Sequence, residues 1–91
     1  MTATVNARPM LLALIRDVHR NAVEDGMSEV QAGEMVCDAC AEAIGEFIAR
    51  MVPSHDQEVA AFTAGRGVVE AARAQSATQA FVRAGNGSVI A

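Results

Sequence analysis

The chain has 91 residues, a formal charge of −4, and no Lys, Trp or Tyr. That length suits one domain with modest burial. The acidic balance argues against direct binding to a nucleic-acid backbone, which needs a basic surface. Charge is uneven along the chain: residues 1–25 balance, residues 26–58 carry −6 and residues 59–91 carry +2. No apolar run is long enough to span a membrane. The opening MTATVNARPMLLALI has a short apolar patch, soon followed by Arg16 and Asp17. It reads as the first helix rather than as a signal peptide. Two Cys and no export signal make reduced thiols in a cytoplasm the expectation.

Abundant Ala, with Phe47, Phe62 and Phe81 as the only rings, favours closely packed helices. The expected fold is all-α: a compact three-helix bundle, or four helices if the third breaks at Gly65–Gly67. The chain reads as a single domain over 1–91, with flexible ends at 1–7 and 86–91.

In chain order, Pro9 suits a first helical turn, where a missing N–H costs nothing. Leu11, Leu14, Ile15, Val18 and Ala22 follow helical spacing and Gly26 is a stop, so helix one covers about 9–24. Ser28 and Gln31 form a capping box that opens a second helix over about 28–52, closed by Pro53. Val30, Gly33, Cys37, Cys40, Ile44, Phe47 and Met51 alternate spacings of three and four, which reads as a buried heptad seam. Ser54 and Gln57 read as a second capping box. Val59, Phe62, Gly65, Val69, Ala72, Ser76 and Ala80 form a third stripe. Gly65 and Gly67 weaken a helix there, giving pieces at about 54–64 and 68–84. Asn86-Gly87 is turn chemistry, followed by an apolar tail.

The functional lead is a row of carboxylates on helix two. Glu34, Asp38, Glu42 and Glu46 recur every four residues, where like charges repel. At 100° per residue the row lies nearly opposite the expected seam, with Met35 beside it as an apolar anchor. The bland reading is a solvated face, or one neutralised by Arg16, Arg20, Arg66 or Arg73. The sharper reading is a docking surface for a basic patch on a larger protein.

The function expected is therefore a small, acidic, non-enzymatic adaptor or inhibitor, binding through Glu34, Met35, Asp38, Glu42 and Glu46. Its target would be a larger complex with a basic region, such as one that handles nucleic acid. Some phage-encoded inhibitors, anti-CRISPR proteins among them, work by charge of this kind; the analogy is of size and charge alone. Arg66, Arg73 and Arg83 make the last third mildly basic and suit a homodimer or secondary interface. A self-assembling helical subunit is the first alternative.

The second alternative is a metal or thiol protein built on Cys37 and Cys40 with His19 or His55. That pair lies deep inside a helix, so core packing is the stronger reading, and no metal or cofactor is expected. Gly65-Arg66-Gly67 does not fit a phosphate loop. His55 lacks the cleft and partners that an acid–base residue needs, and no catalytic residue is assigned.

Overall fold

A computed structural model describes the backbone of residues 2–90 and the side chains of residues 6–83. The protein is all-α, with three helices and no strand among the described residues. Helix α1 spans Thr2–Glu24, α2 spans Glu29–Met51 and α3 spans Gln57–Ile90, with a 3-10 turn at Ser54–Asp56 before α3. The chain divides into two units, Met1–Glu46 and Phe47–Ala91, each described by itself.

The first unit pairs α1 with most of α2 through a tight turn. Gly26 adopts φ 114°, a conformation that L side chains rarely take. Its N–H bonds to the Val23 carbonyl at 3.0 Å, and the Met27 N–H bonds to the Ala22 carbonyl at 3.1 Å. This is a Schellman closure, which satisfies the carbonyls left over at a helix end. Two residues on, the capping box forms as expected. The Ser28 hydroxyl accepts from the Gln31 N–H at 3.1 Å, and the Gln31 amide oxygen accepts from the Ser28 N–H at 3.2 Å.

Helix α1 starts about two turns ahead of the expected residue 9. It runs through Pro9, which supplies no N–H and so interrupts the ladder there. The residues ahead of Pro9 include no Gly or second Pro to stop a helix. The expected flexible stretches 1–7 and 86–91 fall largely on residues whose side chains lie outside those described, and in place of the turn expected at Asn86-Gly87 the backbone of α3 continues to Ile90.

The second unit departs from the expected chemistry at its start. Ser54 belongs to the 3-10 turn and makes no capping box with Gln57. The Gln57 amide reaches back instead, donating to the Val52 carbonyl at 3.0 Å and the Ala49 carbonyl at 3.3 Å. It thereby satisfies carbonyls at the end of α2, which helical geometry leaves without partners. Pro53 cannot extend α2, and the chain re-enters a helix through the Asp56 N–H to Pro53 carbonyl bond of 2.9 Å.

The break expected at Gly65–Gly67 does not occur, because α3 is continuous through both glycines. Each costs about 1 kcal/mol against Ala. The Ala-rich flanks on both sides carry the helix across them. Separate pieces at 54–64 and 68–84 are therefore replaced by one helix.

Two stability outcomes follow from these local devices. Ser28→Ala removes an N-cap acceptor and is expected to cost about 1 kcal/mol, whereas Ser54→Ala leaves stability unchanged. Thermal unfolding followed by circular dichroism checks the pair, since 1 kcal/mol shifts the Tm of a domain this size by roughly 4–8 °C. Equal losses at both serines would contradict the capping described here. Gly45 lies inside α2, and a Cβ built there meets nothing within 4 Å. Gly45→Ala is accordingly expected to stabilise the chain by about 1 kcal/mol, read in the same melting experiment.

Candidate functional site

The site is built on α2, whose faces are set by what α1 covers. Ala32 is fully buried and Val36 is 6% exposed. Leu14, Ile15 and Val18 of α1 face Val36, Ala39, Cys40 and Ala43 of α2 across a shallow groove of about 170 Å³. The His19 ring bridges the same helices, its Nε2 donating to the Glu29 carbonyl at 3.1 Å. That bond holds the first turn of α2 against α1, and His19 is half-buried.

This packing corrects the phase of the expected seam. Val30, Cys37, Phe47 and Met51 are exposed, Gly33 and Cys40 are only half-buried, and Ile44 is 41% exposed. The packed residues of α2 in the first unit centre roughly 80° around the helix from the expected seam, counting 100° per residue. Ala32 and Val36 are the residues of α2 that the first unit buries, and the larger Val, Ile, Phe and Met side chains of the expected seam stand outside the groove.

The acidic row remains in solvent. Glu34, Asp38, Glu42 and Glu46 are all exposed, and Met35 beside them is half-buried. The phase shift brings Met35 nearer the packed face, which leaves less of it available as an anchor. Among the described residues, no cation pairs with Glu34, Asp38 or Glu42. Glu46 and Arg50 each have an interaction of their own. Arg20, one of the basic groups that could have neutralised the row, is held 2.7 Å from Asp17. Three acidic groups at i, i+4 spacing thus stand together without a countercharge among the described residues.

Cys37 and Cys40 are free thiols, the first exposed and the second half-buried in the groove. Among the described residues, no group of three His, Cys, Asp or Glu side chains is arranged to hold a metal ion. His19 is directed to a backbone carbonyl. His55 is exposed in the second unit, 3.3 Å from Asp56. Arg66, Arg73 and Arg83 are exposed on α3, and Arg66 flanks grooves on both sides of Phe62.

Sequence reasoning missed two features. One is Gln57 as a carbonyl cap, because an amide three residues after a Ser suggests a capping box equally well. The other is how bare α3 is, with Phe62 74% and Phe81 80% exposed. The stripe was visible in the spacing, but nothing in the spacing says whether the same chain covers it.

Compared with known proteins, the chain matches no family model, no curated protein and no solved structure.

The groove gives the two thiols different access to reagent. Cys37 is expected to be alkylated several-fold faster than Cys40 in the folded chain, and both equally in denaturant, as read by peptide mass spectrometry. Equal rates in the folded chain would show that α1 does not cover Cys40.

Proposed function

We propose that the protein is a small, non-enzymatic interaction module that docks the acidic face of α2 on a basic surface of a larger protein. The observation that carries this reading is the uncompensated row: Glu34, Asp38 and Glu42 lie exposed on one face, with no countercharge among the described residues. Each i, i+4 repulsion costs about 0.2–0.5 kcal/mol, and a cationic partner would relieve it. Charge complementarity of this kind supplies association rate and specificity more than raw affinity.

Complexes that handle nucleic acid present basic surfaces, so an adaptor or inhibitor of such a complex is the form we favour, a phage-encoded inhibitor included. Four carboxylates imitate only a short stretch of phosphate backbone, so the target surface is small. Two free thiols fit a reducing, cytoplasmic setting, and no helix among the described residues is long and apolar enough to cross a membrane. A second reading, a self-assembling helical subunit, is favoured by one separate observation. Many large apolar residues of α1 and α3 stand exposed, Leu11, Leu14, Val59 and Phe62 among them.

The test is a paired capture from source-cell lysate with the wild type and an Asp38→Arg, Glu42→Arg double variant. The retained protein is then purified and its binding to both baits measured against salt. The expected result is a partner held by the wild type alone, with affinity falling as salt rises and with both baits equally helical. A variant that matches the wild type would reduce the row to a solvated face and remove the proposal.

A further inference from the structure

Helix α3 carries two glycines and an apolar stripe that the second unit itself leaves bare. The helix is unbroken at Gly65 and Gly67, and a Cβ built at either meets nothing within 4 Å. Within this chain neither glycine is explained by a neighbour that needs the space. Glu58, Phe62, Gly65, Val69, Ala72 and Ser76 recur at alternating spacings of four and three, the signature of a two-helix seam. Glu58, Ala61, Phe62, Gly65, Arg66 and Val69 already line a groove on this face. All six seam residues are exposed.

The order of charges along this face states which occupant fits. Glu58 stands at one end of the seam and Arg73 flanks the other, with the glycines between them. We infer that the face is covered by α3 of a second copy, running antiparallel about a two-fold axis at residues 65–67. In that arrangement Phe62 of each copy comes beside Val69 and Ala72 of the other, so a large side chain meets small ones. Glu58 of each copy comes beside Arg73 of the other, giving two symmetric ion pairs, as an isologous interface requires. Gly65 and Gly67 sit at the axis, where missing side chains let two backbones approach. A parallel pairing would instead set Glu58 on Glu58 and Arg73 on Arg73, and like charges facing each other select against it. Arg66 is the one repulsive element of the antiparallel form, because its two copies flank the axis. The inference does not rest on the docking reading, since the acidic row lies on α2 and stays outside this seam.

Light scattering and sedimentation equilibrium on the full chain test it. The wild type is expected at twice the chain mass of 9.5 kDa. Glu58→Arg alone and Arg73→Glu alone each weaken the dimer by about tenfold, and the double variant, which restores the pairs in reverse, recovers it. Arg66→Ala tightens the dimer. Gly65→Leu abolishes it while helicity by circular dichroism is retained, and it keeps the test alive should a charge variant fail to fold. A monomeric wild type would overturn the inference, whether the stripe is then covered by the same chain or by a foreign protein. So would a dimer indifferent to both charge reversals. The Asp38→Arg, Glu42→Arg variant is expected to remain dimeric. If it becomes monomeric, the acidic row is itself the self-association surface and the α3 pairing falls, whereas its loss of a foreign partner alone concerns only the docking proposal.

Discussion

Everything in this structure depends on how little apolar surface the chain removes from water by itself. Among the described residues, only the hydrophobic side chains of Ala32, Val36 and Ile48 are buried. Folding a residue costs about 1–2 kcal/mol of backbone entropy, and at ~25 cal/mol per Å² so small a core offsets little of it. The local devices therefore matter more than they would in a larger domain. The Schellman closure at Gly26, the Ser28–Gln31 box and the Gln57 amide hold the helix ends.

What the sequence made legible was local, and what it hid was not. The Gly26 stop and the Ser28–Gln31 box could be read because each depends on residues within five positions of one another. The all-α class followed from composition and spacing. The acidic row was legible for the same reason, since i, i+4 neighbours share a side on any helix. The face that α2 buries was misread because the seam was chosen by side-chain size. Ala32, rather than one of the larger side chains, is the fully buried residue there, and an alanine looks the same in a sequence whether it is packed or bare. The continuous α3 was hidden because a glycine penalty near 1 kcal/mol is a local cost, weighed against a long helix-forming run on both sides.

The residues left exposed are not a uniform apolar surface. On α2 the solvent side carries one sign of charge along its length, from Glu34 to Glu46. On α3 the sign changes along the stripe, from Glu58 at one end to Arg73 at the other. These patterns have opposite consequences for a second copy of the chain. Two acidic rows repel in either orientation, parallel or antiparallel, so α2 cannot pair with itself through that face. A stripe whose ends differ in sign repels itself when parallel and attracts itself when antiparallel.

Charge order therefore distinguishes the two helices. The uniform row repels a copy of itself, and under the function we propose it would meet a cationic surface of a different kind. In the pairing we infer, the α3 stripe would meet its own copy in the antiparallel direction alone. Apolar burial is non-directional and scales with what is covered. Specificity comes instead from the carboxylates and guanidinia at the margins, whose net worth per pair is small but whose sign decides which surfaces can meet at all. A short chain with a minimal core thus exposes two faces that differ in charge order, one of a single sign and one whose ends differ in sign.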